Sequence, residues 1–444
     1  TTTNGLPQRI LTTLRSGSAP DLIDAQHPWV TGYAQNDLVI PLDDVLTDRE
    51  DYNKAAVDYV TYDGKVYGLP YRIEALAVLC NRGHFEEAGL DPENPPQTWS
   101  EFLDAAQKLT HDGRYGFAIT GGGEVGNTIF RSVPFIWENG GELISADGKT
   151  AEVNGEKAVE AIKYWTDMYT EYGVSPASTL ENDGTANRRL FIAETVSCYQ
   201  SGQFDIASIQ KENPSIDILP IMTPHPEGGN PSAILGGWSW VIPSSAENPD
   251  DAKTLVKWLA QPENMGFYTD TFPARVSAMD MPRFKEPILK VFGDMLPYGR
   301  PLPNHPRWVQ IAQAYFDGVQ RILIGDQDVQ ASMDDSAEDI QRLLLPLIDI
   351  VEMVVDEAVG RGRVQMRDGA IGAFALQQMI GKHRRAPRPA AGPRGPSGGG
   401  AALCPYTRCS PLLAESPSGA AGSNTYAWWN TATPARLAVI GKTN

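Results

Sequence analysis

An α/β protein built as two lobes around a hinge is what this sequence predicts, and three observations predict it. Short apolar runs suited to buried strands alternate with amphipathic stretches at helical spacing. That alternation occurs twice, on either side of a glycine-rich segment at residues 121–126. Residues 235–264 then join a glycine pair, a strand and a long helix in the manner of a return crossover. A chain of 444 residues is also too long for one small core. Alternation of this kind predicts a mostly parallel sheet covered on both faces by helices, with ligands at the carboxyl ends of the strands.

Each element has its own signals. Leu6, Ile10, Leu11 and Leu14 fall on one helical face, residues 21–25 make a short strand, and residues 29–35 begin the next helix. Gly68, Leu69 and Pro70 punctuate the chain before an apolar strand at 75–81. Thr98 with Glu101 three residues on has capping-box spacing. Residues 115–120 form a strand that leads out of the first lobe. The following GGGEVG lacks the lysine of a phosphate loop and the dinucleotide spacing, so it reads as a flexible crossover. In the second lobe Val159, Ile162, Trp165 and Met168 line one helix, and residues 194–199 make a strand.

The return crossover is the richest stretch. Gly236 and Gly237 allow positive φ and close approach of backbone to a ligand, and the run 238–242 suits a buried strand that Pro243 closes. Ser244, Ser245 and Asn248 supply helix N-cap chemistry, and Pro249, Asp250 and Asp251 suit a first turn, where the peptide dipoles favour negative charge. Ala252, Leu255, Val256 and Leu259 then recur at helical spacing, with Lys253 and Lys257 on the other side. The expected divisions are lobe I at 1–119, lobe II at 120–235, a return to lobe I at 236–297, and helices packing on lobe II at 298–345. Residues 346–444 stand apart. Residues 346–368 could still make a helix, but 386–424 are rich in Pro, Gly, Ala and Ser, and from 369 onward eight basic residues face the single acid Glu415, so this tail reads as disordered or frame-shifted.

Composition excludes some classes. Thirty-seven basic against fifty-five acidic residues give a net charge of −18, which argues against nucleic acid as a partner. Four cysteines, two of them in the tail, make no disulfide framework, and Cys80 and Cys198 in apolar strands read as buried free thiols. CPYTRC at 404–409 has the wrong spacing for a zinc ribbon, so neither metal nor cofactor is expected. The sequence contains neither a signal-peptide pattern nor a run of apolar residues long enough to span a membrane.

The stretch LGGWSWVIPSSAENPDDAKTLVKWLAQPEN resembles the extracellular solute-binding proteins of ABC transporters, in the sugar-binding family. SGSAPDLIDAQHPWVTGYAQNDLVIPLDDVL at 16–46 and DGKVYGLPYRIEALAVLCNR at 63–82 match in the same order. FEEAGLDPENPPQTWSEFLDAAQKLT at 85–110, WENGGELISADGK at 137–149 and GRPLPNHPRW at 299–308 continue the match. The resemblance covers about the first 345 residues. It implies the two-lobed periplasmic binding protein fold of type II, each lobe a mixed sheet flanked by helices, with a first strand of lobe I missing. It also implies a monomer outside the cytoplasm that passes a sugar to a membrane permease, tethered by a lipoprotein anchor or exported by a signal peptide absent from this chain.

A sugar offers hydroxyls and an apolar ring face, so its site needs an aromatic plate and groups that bond bidentately. Trp238 is the candidate plate, with Gly236 and Gly237 clearing its approach, although Trp240 on the same strand face shows that a core role is the alternative. By family position the polar candidates are Gln26, with His27 beside it, then Arg72 and Glu74, which could instead form a local surface ion pair. Asn127, Trp137 and Arg300 follow, then Ser201, where relatives often carry an aromatic, with Phe204 as a substitute and Phe272 as a weaker candidate. A glycosidase is the competing class, because Glu74, Glu124 and Glu138 could supply paired carboxylates. A receptor co-sensor would use the same site with another partner, and a truncated fragment would use none.

Overall fold

The computed structural model describes residues 6–345 apart from Pro306, and all of them fall within one compact unit. The tail from residue 346, expected to be disordered or frame-shifted, lies outside the described residues. Two four-stranded sheets organise the rest. In the first, Ile23–Gln26, Gly236–Val241, Leu69–Glu74 and Phe272–Pro273 lie side by side, every pair antiparallel. The second runs Tyr115–Ala118, Val196–Ser201, Ala77–Asn81 and Ile218–Ile221, and only its first pair is parallel.

Both sheets are therefore mixed or antiparallel, not mostly parallel. The reason is connectivity: strands far apart in sequence pair here, and alternation of strands and helices does not fix direction when the chain changes sheets between them. The first change comes at Ala75 and Leu76, which separate Leu69–Glu74 from Ala77–Asn81. The expected exit near residue 120 is thus displaced, since Tyr115–Ala118 already belongs to the second sheet. Residues 121–126 are not a loose connector either. Gly121 and Gly122 donate their amides to Thr179 and Asn182, and a Cβ on Gly122 would stand 2.3 Å from the Leu180 carbonyl oxygen. Close packing, not flexibility, requires glycine there.

The cysteines correct a second expectation. Cys80 and Cys198 face each other across neighbouring strands with Cα atoms 4.1 Å apart, and they form a disulfide. Facing positions at the close, non-hydrogen-bonded spacing of an antiparallel pair bring Sγ atoms into reach. Apolar neighbours in sequence indicate buried thiols but carry no information on strand register.

Helix starts follow their chemistry. Thr98 accepts from the Glu101 amide and Glu101 reaches back to the Thr98 amide, a complete capping box for Trp99–Leu109. Pro249–Leu259 has proline and two acids in its first turn, but no side chain at Asn248 caps it; the Asn248 amide is held instead by Asp21. Ala252 and Val256 are buried, whereas Leu255 is left exposed. Trp308–Leu323 and Val329–Leu344 pack against the helices of the second sheet, with Tyr315 donating to Ser132 at 2.8 Å and Gln341 accepting from the Ala151 amide at 2.9 Å. No helix among the described residues is long and apolar enough to cross a membrane.

Candidate ligand-binding site

One end of the first sheet presents a row of polar and aromatic groups. Gln26 stands opposite Trp238, and Trp238 opposite Arg72, across three adjacent strands, while Gly236 faces Glu74 one step further on. The pairing register shifts between Trp238 and Ser239. That irregularity separates the two tryptophans expected on one face. Trp240 is buried and stacks on Tyr71 at 4.5 Å, but Trp238 stays half-buried at the rim of a cavity, edge-on to Trp29. Gly237 makes the turn possible, with φ of 148°, and a Cβ there would meet the Arg72 carbonyl oxygen at 2.2 Å.

The cavity measures about 310 Å3 and is lined from both sides. Gln26, Arg72, Glu74, Gly237 and Trp238 come from the first sheet and its connections, and Asp270 joins them. Facing them, Val125–Glu138 contributes Asn127, Phe130 and Arg131, and Gly184–Ile192 contributes Thr185 and Arg188. Phe204 and Asp205 close it after the strand Val196–Ser201. An aromatic plate with guanidinium and carboxylate groups on two walls can grip a polyhydroxylated ring from both faces.

With this geometry the chain can be compared with known proteins. Residues 1–266 match the model of the bacterial extracellular solute-binding proteins. The chain belongs to that family. This solute-binding protein is 25% identical over 352 residues to a putative binding protein of Brucella abortus, covering 76% of this chain and 83% of that one. It is also 25% identical to the maltodextrin-binding protein of Bacillus subtilis, over 73% of this chain and 78% of the relative. A solute-binding protein from Thermotoga lettingae, solved with α-D-tagatose, superposes with a TM-score of 0.72 at 26% identity, covering 77% and 89% of the two chains. The fold is accordingly the two-lobed α/β architecture of these proteins, and the family is extracellular.

The solute-binding protein brings together six of the ten residues expected at its site: Gln26, Arg72, Glu74, Asn127, Gly237 and Trp238. Gly236 lies just behind, where a Cβ would stand 2.9 Å from Glu74 Cγ. Ser201 is buried and donates to Asp205 at 2.6 Å, so its link to the cavity runs through that carboxylate. Trp137 and Arg300 lie elsewhere. Arg300 covers the Trp137 ring at 4.5 Å and donates to Glu142, and both line a separate depression beside Gly229 and Ser232. His27 faces inward against Tyr59 and is fully buried, and Phe272 belongs to the core.

Electrostatics sharpen the picture. Arg72 is bonded to Asp270 and lies 3.7 Å from Glu74, so the alternative of a local surface pair becomes a mostly buried Arg72 and Glu74 joined to an exposed Asp270. Burial raises the Glu74 carboxyl above its ordinary range, and nearby Arg72 only partly opposes this because no hydrogen bond joins them. Sequence reasoning missed Arg131, Arg188 and Asp205. Arg131 donates from Nε to the Gln200 carbonyl at 2.9 Å and from Nη1 to the Asn127 carbonyl and side chain. Asp205 accepts from Arg188, Tyr199 and Ser201. The available clue was an arginine one turn beyond Asn127 on the apolar face of VGNTIFRSVPFIWE, a place where a charge is costly without a task.

Proposed function

We propose that this protein is the substrate-capturing component of an ABC transporter for a sugar, which it binds between the two sheets, leaves chemically unchanged and delivers to a membrane permease. The observation that carries this reading is the row Gln26, Trp238 and Arg72 facing Asn127, Arg131 and Arg188 across one cavity. The sugar stacks on Trp238, Gly236 and Gly237 leave room for it, and Gln26, Arg72, Glu74 and Asn127 bond its hydroxyls. Ser201 acts through Asp205. Names of relatives support the ligand class: one binds maltodextrin, another galactooligosaccharide, and a third was solved with tagatose.

Contacts on both walls imply that ligand favours a closed arrangement of the lobes, by its differential affinity for it. The permease reads that closed surface. The Cys80–Cys198 disulfide suits an oxidising compartment, consistent with a monomer held outside the cytoplasm by an anchor or as a free periplasmic protein. Hydrolysis is the less favoured reading: Glu138, one of its three candidate carboxylates, is occupied by the Ser232 amide and the Trp99 indole and does not line the cavity. A thermal-shift screen against mono- and oligosaccharides, followed by calorimetry, tests the proposal. A hit recovered unchanged and weakened at least tenfold by Trp238→Ala is expected; a hit that is consumed would establish turnover, and no hit at all would remove the sugar assignment.

A further inference from the structure

We propose that the cavity accepts one neutral monosaccharide ring and discriminates against disaccharides and against anionic sugars. This rests on the sugar-binding reading above and narrows it. Size is the first argument. A cavity of ~150 Å3 holds one benzene, so about twice that volume suits a ring with about twelve non-hydrogen atoms, a hexose, and is about half of what a disaccharide with about twenty-three would need. The cavity here measures about 310 Å3, at the low end of ligand sites.

Within the second wall the lining groups are held in place. Arg131 is buried and tied at Nε and Nη1 to Gln200 and Asn127, so its guanidinium is a fixed partition and not a flexible gate. Behind it the backbone at Gly184 is packed so tightly that a Cβ would meet Arg131 Nη2 at 2.4 Å. On the adjoining side the Phe204 ring lies against Gly202, where a Cβ would meet Cε1 at 2.4 Å. Asp205 is held by three donors. At the row of Gln26, Trp238 and Arg72 the aromatic face is that of Trp238, with Phe130 and Phe204 on the facing wall.

Charge is the second argument. Arg72, Arg131 and Arg188 share the cavity with Glu74, Glu124, Asp205 and Asp270, three cations against four carboxylates, so there is no positive surplus for a phosphate or carboxylate on the ligand. Buried atoms still seek partners on both sides: Arg72 Nε and Glu74 Oε2 on one, Arg188 Nε on the other. Donors and an acceptor together fit hydroxyl groups, which both give and take hydrogen bonds.

Titration calorimetry of the full chain with neutral aldo- and ketohexoses and pentoses, maltose, maltotriose, glucuronate and glucose 6-phosphate tests this. At least one neutral monosaccharide is expected to bind at least 100-fold more tightly than every disaccharide, trisaccharide and acidic sugar in the panel. A di- or trisaccharide binding more tightly than any monosaccharide overturns the size inference and leaves the sugar-binding reading intact. Tightest binding of glucuronate or the phosphate overturns neutrality alone, and silence across the whole panel overturns both the inference and the reading beneath it.

Discussion

Removing the disulfide gives a prediction whose size follows from topology. Cys80 and Cys198 are separated by 118 residues, so the bond closes a loop that takes in Trp99–Leu109, Val125–Glu138 and Glu156–Thr170. The chain-entropy relation assigns a loop of 118 residues ~4.9 kcal/mol of stabilisation at 25 °C, through restriction of the unfolded chain. For a folding unit spanning residues 6–345, unfolding entropy is ~0.7 kcal/mol/K at roughly 2.1 cal/mol/K per residue, which converts that energy into a fall of ~7 °C in Tm. The variant carrying both Cys80→Ala and Cys198→Ala should therefore melt about 7 °C below the parent, with loss of sulfur packing adding to the drop. Calorimetric melting of the two proteins measures it. Alkylation of the denatured, unreduced parent should leave the peptides of Cys80 and Cys198 unlabelled. If both peptides label and the double variant melts within about 2 °C of the parent, the bond is absent and the loop argument fails.

Two further outcomes follow from local geometry. Gly237→Ala forces a Cβ against the Arg72 carbonyl at a positive φ, so it should cost at least about 2 kcal/mol and weaken ligand binding together with stability, as urea unfolding and calorimetry would show. His27 is a pH sensor of the fold: burial lowers its pKa from 6.5 to about 3, so the folded state binds fewer protons than the unfolded chain between those values. Its contribution to stability is complete above pH 6.5 and is lost as pH falls toward 3, and His27→Gln should flatten that part of the pH profile of unfolding.

Local rules carried much of this molecule, and their failures share a cause. The capping box at Thr98, the strand ending at Pro243 and the helix from Pro249 depend on neighbours in sequence, and each stands where its residues point. Gln26, Arg72 and Trp238 lie on one row because strand ends and glycine pairs mark where a sheet stops. Strand direction, the Cys80–Cys198 bond and the register shift after Trp238 depend instead on which distant strands pair, and no periodicity encodes that. Arg131, Arg188 and Asp205 escaped notice for the same reason: their meaning comes from a facing wall. Trp137 and Arg300 were paired with each other by the fold, away from the cavity, although each alone had the chemistry for a ligand.

The short link at Ala75 and Leu76 has a mechanical consequence. Upstream, Arg72 and Glu74 sit in a strand clamped between Gly236–Val241 and Phe272–Pro273; downstream, the chain enters a strand welded to its neighbour by a covalent bond. The chain passes between the sheets again from Ile218–Ile221 to Gly236–Val241, so the lobe closure proposed above would share its torsion between that connection and these two buried residues, next to groups that line the cavity. In the mechanism proposed above, a group that binds solute and a link that turns on closure are then adjacent in the chain, Glu74 standing next to Ala75.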